Sequence, residues 1–181
     1  GDGFARAFDM TYQNKENKLA YVHQTSWGCT TRLIGALIMS HGDDNGLVLP
    51  PAVAPVQVVI LPIAQHKPGV LDKAYELRDR LAKQFRVKVD SSDNSAGWKF
   101  AEYEMKGVPI RLEIGPKDIE NNQCVLVRRD NREKLFVSLD NLEESLSAVL
   151  KDYAEAIYNK ALANQEKRTY ECTSIDEINA K

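Results

Sequence analysis

The stretch Tyr21–Ile63, YVHQTSWGCTTRLIGALIMSHGDDNGLVLPPAVAPVQVVILPI, decides how the rest of the chain is organised. From Tyr21 to Ser40 it carries one formal charge, Arg32, among apolar and small residues. It then crosses a polar turn, His41–Asn45, and a hinge rich in proline (Pro50, Pro51, Pro55) before entering the run VVILPI. That order predicts the end of one domain, a stiff extended linker and the start of a second domain. Leu33, Ala36 and Leu37 fall at helical spacing, so a buried helix is expected here, with Thr30 or Thr31 as its cap. Arg32 stands at its N-terminal edge and needs an anionic partner, because an unpaired buried charge is very costly. A neighbouring carboxylate meets that need, and so does a phosphate, whose geometry matches the planar guanidinium fork.

Beyond the hinge the pattern alternates between strand and helix. VVILPI is short, apolar and β-branched, as in a central parallel strand. Val70, Ala74, Leu77, Leu81 and Phe85 line one face of an amphipathic helix, and RVKVD follows as a second strand. Strand, helix and strand in that order imply a right-handed parallel crossover. A helix is predicted over 96–106, ended by Gly107 and Pro109, with Trp98, Ala101 and Met105 facing the core and Phe100 and Glu104 on another face. VPIRLEI alternates, with Val108, Ile110, Leu112 and Ile114 on one side and Arg111 and Glu113 on the other. A turn at 115–118, a strand over 124–127, a charged turn at 128–132 and a strand over 135–137 complete the sheet. Asp140-Asn141-Leu142-Glu143 reads as a capping box opening a helix that runs to about Ala161. Residues 163–181 are polar and read as a connector.

Composition narrows the function classes. The 181 residues suffice for one large or two small domains. A hydrophobic fraction of 43% and a charged fraction of 28% are ordinary for a globular protein. No apolar run of about 18 residues is present, so no transmembrane helix and no membrane partner are expected. The start, Gly1-Asp2-Gly3, carries no secretory pattern and reads as that of a fragment or processed chain. A net charge of −2 means that any RNA site must be a local patch. Cys29, Cys124 and Cys172 are widely spaced, without a CxxC pair, which fits free thiols in a reducing cytoplasm and predicts no metal site. Asp43 and Asp44 are a pair of carboxylates suited to magnesium, but read better as a solvated turn. In the first 24 residues, TYQNKENKLAYV reads as two short strands joined by a polar turn. His23 is expected to be structural, in a partly buried strand.

The sequence TSWGCTTRLIGALIM, followed by HGDDNGLVLPP and APVQVVILPI, resembles the junction between catalytic core and anticodon-binding domain in the prolyl-tRNA synthetases. GWKFAEYEMKGVPIRLEIGPKD is similar to the same family. The resemblance implies a division into 1–50, the end of a class II core with its third signature motif; 51–55, the linker; 56–150, an anticodon-binding domain; and 151–181, a helical extension. The implied fold of the second domain is α/β, a mixed five-stranded sheet flanked by helices. By resemblance Arg32 contacts ATP, Thr30 lies near the nucleotide, and Thr25, Ser26, Trp27 and Gly28 line the same pocket. The residues carried over as anticodon contacts are Phe100, Glu104, Arg111, Lys117 and Asp118, with Arg129 and Arg132 both candidates for a further arginine.

Residues 108–134 hold six Lys/Arg and five Asp/Glu, a mixture suited to reading base edges rather than to general phosphate adhesion. The resemblance further implies a ligase acting on proline, ATP and proline tRNA, with Mg2+, as a cytoplasmic homodimer. It also implies that these residues alone are inactive, since the second motif's arginine is not among them. Two rivals remain: a free-standing RNA- or protein-binding module of the same fold, and another class IIa synthetase.

Overall fold

A computed structural model describes residues 1–180. The chain forms two compact units, Gly1–Gly35 and Ala36–Lys181.

The first unit holds helix α1 (Gly3–Ala7) and an antiparallel hairpin of β1 (Thr11–Gln13) and β2 (Leu19–Tyr21) in the register Thr11↔Tyr21. The hairpin expected from TYQNKENKLAYV is therefore present. Its turn is closed by Asn14, whose Oδ1 accepts the backbone N–H of both Glu16 and Lys18. His23 lies past the end of β2 and is exposed, so the expectation of a half-buried strand histidine is corrected. Helix α2 (Arg32–His41) forms where the spacing predicts it, and Thr30 Oγ1 accepts the backbone N–H of Arg32 at 3.3 Å. The expected burial is not found: no residue of α2 is buried, and Met39 is 83% exposed. Periodicity records that a face is apolar; burial needs a partner surface, and among the described residues none covers this face fully.

The second unit is built on β3 (Val58–Pro62), buried along its whole length. β3 pairs in parallel with β4 (Val87–Val89) on one side and β5 (Ile110–Ile114) on the other. β6 (Gln123–Arg128) and β7 (Lys134–Ser138) extend the sheet antiparallel, giving the order β4-β3-β5-β6-β7. The mixed five-stranded sheet is thus as expected. Helices α3 (Val70–Leu81) and α6 (Leu142–Arg168) cover one face, over a core that includes Val58, Ile60, Leu77, Ile110, Leu112, Leu126 and Leu146. Helix α4 (Ala96–Met105) covers part of the other, where Tyr103 packs with Val59, Leu61 and Val108. A short helix, α5 (Pro116–Glu120), stands where a simple turn was expected, and α7 (Ile175–Asn179) closes the described chain.

Helix α4 is rotated relative to the sequence reading. Trp98 and Met105 are half-exposed and Ala101 is exposed, whereas Lys99 and Tyr103 are buried. Both faces repeat at helical spacing, so apolarity alone favours the wrong one. The deciding contact is polar: the Lys99 ammonium donates to the Asp90 carbonyl at 3.0 Å and lies 3.7 Å from Asp90 Oδ1. Asp90 follows β4 directly, so the pair anchors the start of α4 to the end of that strand. With Lys99 only 4% exposed, losing this partner would leave an unpaired buried charge.

Three further expectations are corrected. Residues 51–55 are not an extended linker. Val53 and Ala54 bond back to the Pro50 carbonyl, and the Arg86 guanidinium donates to the carbonyls of Pro51, Ala52 and Ala54. The capping box at 140–143 is absent: Ser138 Oγ accepts the Asp140 N–H, and Glu143 pairs with Arg80 of α3. Helix α6 runs to Arg168 rather than Ala161, because surface positions without an apolar face still favour helix. Lys181 of the predicted connector lies outside the described residues.

Residues 46–49 form a strap along the C-terminal end of α4. Leu47 and Leu49 donate their backbone N–H to the carbonyls of Met105 and Gly107. Two glycines permit this approach. A Cβ on Gly46 would fall 2.5 Å from Met105 backbone atoms, and one on Gly107 (φ +70) would fall 2.7 Å from Leu47 backbone atoms. Gly107→Ala is therefore expected to cost about 1–3 kcal/mol for its left-handed backbone alone, with the strap displaced in addition. Urea unfolding checks this; stability equal to the parent chain would contradict it.

Candidate nucleic-acid interface

The open side of the sheet gathers charged residues from α4, β5 and the β6–β7 loop. A pocket of about 220 Å³ is lined by Tyr103, Glu104, Arg111, Val127, Arg132 and Lys134, among others. Strand alternation explains the set. Ile110, Leu112 and Ile114 point to the α3/α6 core, so Arg111 and Glu113 must point the other way.

Arg111 is held on two sides. Its guanidinium lies 4.0 Å from the centroid of the Phe100 ring, and its Nε donates to Glu113 Oε1 at 2.8 Å. Phe100 is thus half-buried beneath a cation and packed on the Val59/Leu61/Tyr103 cluster. Glu104 Oε1 accepts from Arg132 Nε at 2.7 Å, and Arg132, 57% exposed, keeps most of its fork in water.

The two candidate arginines of the charged turn differ sharply. Arg129 is 3% exposed. It donates from Nε to the Glu104 carbonyl at 2.7 Å, and from its two terminal nitrogens to both oxygens of Asp43 at 2.8 and 2.6 Å. A cation on a last-turn carbonyl is a favourable helix terminus. Arg129 has no free edge facing solvent, while Arg132 does. Asp43 and Asp44 lie in an exposed turn, as expected, but Asp43 is not free there: the hydrogen bonds from Arg129 hold its carboxyl at about 2, below the ordinary 3.8. Arg128 is occupied as well, by Asp130 and Asp152.

Lys117 and Asp118 lie beyond the far end of β5. Lys117 is exposed, whereas Asp118 Oδ2 accepts the Gly115 N–H at 2.8 Å and closes the first turn of α5. Arg111 is three residues from this end of β5, roughly 10 Å at the usual rise, so the carried-over anticodon residues form an extended track. Thr25, Ser26, Trp27, Gly28 and Thr30 form an irregular, exposed segment ahead of α2, with Trp27 95% exposed. Arg32 is exposed at the first position of α2. Among the described residues no group of three or more His, Cys, Asp or Glu is placed to hold a metal ion. None of the described helices is long and apolar enough to cross a membrane.

The family described as Anticodon binding domain matches residues 57–149. The chain belongs to the anticodon-binding-domain family. The matched span starts just before β3 and ends inside α6, so it is the sheet-bearing part of the second unit. The chain is also 64% identical, over 178 residues, to a proline–tRNA ligase of Ruminiclostridium cellulolyticum and 63% identical to one of Clostridium novyi. It is 58% identical to a proline–tRNA ligase 2 of Bacillus cereus. Each match covers 98% of this chain, and the chain spans 37% of the length of each of these relatives.

Sequence reasoning missed three residues that bear on the charged face: Glu113 and Lys134, which stand on it, and Asp43, which holds Arg129 from outside the matched span. Glu113 and Lys134 were readable from alternation, since each is one pleat from a residue assigned to a face. Asp43 carried no such signal, because its partner Arg129 is 86 positions away. Its folded-state carboxyl sits below its unfolded value, so the stabilisation from this pair is complete above pH 4 and is lost as pH falls through about 2. Carbon-13 titration of the Asp43 carboxyl is expected to give a midpoint near 2; a midpoint at 3.8 would mean that the Arg129 fork is not bound in solution.

Proposed function

We propose that this chain is part of a proline–tRNA ligase and that its second unit reads the anticodon of proline tRNA. The observation that carries this reading is the pocket uniting Glu104, Arg111 and Arg132 on an anticodon-binding fold. Proline anticodons end in two guanines. Guanine offers two acceptors in a line, which suit an arginine fork, and ring and amino N–H donors on its pairing edge, which suit a carboxylate. Arg132 is the reader of the charged turn and Arg129 the strut beneath it. Arg132 is held at φ +62, an uncommon conformation for a residue with a Cβ, as is found where a side chain must be aimed. Phe100 supports Arg111 from below. Lys117 and the second oxygen of Asp118 meet the neighbouring nucleotide at the other end of the track.

The whole protein would join proline to ATP through attack of the carboxylate on the α-phosphate, then transfer proline to the tRNA's terminal ribose. Such a step depends on positioning and charge stabilisation more than on acid–base groups. In this reading residues 1–50 are the end of the catalytic core, 51–55 the junction, 56–150 the anticodon reader and 151–181 an extension. Arg32 contacts the nucleotide, and Thr25, Ser26, Trp27, Gly28 and Thr30 border it. The described residues offer no ligand set for magnesium, so no step through it is assigned to this chain. A homodimer in the cytoplasm fits the relatives' printed activity. The chain by itself is expected to form no prolyl-adenylate in a pyrophosphate-exchange assay.

The test is binding of the chain to proline tRNA transcripts with the anticodon guanines intact or replaced, at two salt concentrations. Replacement is expected to weaken binding by about 1–3 kcal/mol per base, and Arg111→Ala or Arg132→Ala to erase that preference. Equal affinity for every transcript, vanishing with salt, would leave only phosphate attraction and overturn the reading.

A further inference from the structure

One pleat along the sheet from the charged pocket stands Phe136, and we propose that it is the platform of a stacking site for a second, unpaired base of the same anticodon loop. The inference rests on the tRNA reading above. The register fixes two parallel rows across the sheet: Arg111–Val127–Lys134, which borders the pocket, and Glu113–Val125–Phe136 one pleat further along. Val125 and Val127 are buried between the flanking side chains. These are the Phe100–Arg111–Glu113 group on one side and Lys134 with Phe136 on the other. The two groups belong to strands two positions apart, roughly 9.6 Å at the usual strand spacing.

Phe136 is the feature that structural roles leave unexplained. Its neighbours Leu135 and Val137 pack into the α3/α6 core, so alternation forces Phe136 outward, where it stands 70% exposed. A polar residue would serve that position if it only met solvent. The surroundings argue for an RNA occupant. The row of Phe136 adjoins the row of Lys134, which borders the pocket, and Arg111, Arg132 and Lys134 outnumber Glu104 and Glu113, which suits a polyanion carrying planar bases. A base splayed out of a single-stranded loop stacks on an exposed aromatic whatever its identity, because every base has a π-face. Lys134, one pleat away, is placed for the phosphate between the two bases.

The test uses the 181-residue chain and a proline anticodon stem-loop carrying 2-aminopurine at each unpaired loop position in turn. Wild-type chain is expected to quench one position outside the two guanines. Phe136→Leu, which keeps the apolar volume and removes the ring, is expected to abolish that quench and weaken binding about tenfold, while Phe136→Tyr retains both. Since Phe136 is largely exposed, unchanged thermal midpoints are expected to separate this from misfolding. Guanine-dependent binding that survives Phe136→Leu with the quench intact would overturn the stacking site alone. Wild-type binding that ignores the guanines would overturn the anticodon reading, and this site with it.

Discussion

The Arg129 guanidinium ties together three segments that are remote in sequence. It bonds the Asp43 turn, the last-turn carbonyl of Glu104 on α4, and, through its own backbone N–H, the Pro109 carbonyl that leads into β5. Its three side-chain hydrogen bonds land on the Glu104 carbonyl and on both oxygens of Asp43. At 3% exposure the cation has little water to fall back on, so the segments it joins cannot separate without leaving a buried charge unpaired. The pocket's shape follows from this. Glu104 is held at the rim because its backbone is held, and Arg132 reaches Glu104 because the loop that carries it starts from a fixed Arg129.

A second constraint acts from the other side of α4. Lys99 and Asp90 fix the helix start against β4, while Gly46 and Gly107 let the strap of residues 46–49 lie on its end. Between these two attachments the helix has one rotational setting, with Phe100 and Tyr103 down and Trp98 out. Phe100 then meets Arg111 face on, and a guanidinium supported by a ring presents its outer edge to a ligand. The division of labour between neighbours in sequence is clear: Arg128 and Arg129 are structural cations, and Arg132 is the accessible one.

Burial, not charge, separates those arginines. All three sit in a run that looks uniform in sequence, RRDNR. Their partners lie on α4, on α6 and in the Asp43 turn, and no spacing within the run points to any of them. The same holds for the chain around Pro51. Proline restricts a backbone but does not say whether it stands free, and here Arg86 draws three carbonyls of that segment onto the sheet's edge.

Local pattern was enough to place every strand of the five-stranded sheet, the helices α2, α3 and α4, and the hairpin of the first unit, because periodicity and β-branching act over a few residues. The resemblance carried by GWKF and GPKD likewise marked Glu104 and Arg111 and left Arg129 and Arg132 as alternatives; the fold brings all four to one pocket. The tertiary structure decided which face of α4 is buried, which arginine is a strut, that no residue of α2 is fully buried, and that Asp43 pairs with Arg129. These depend on pairs of groups far apart in the chain, Lys99 with Asp90 across a loop and Arg129 with Asp43 across most of a domain. A buried charge settles its position by finding its partner in space, and one-dimensional spacing holds no record of that distance.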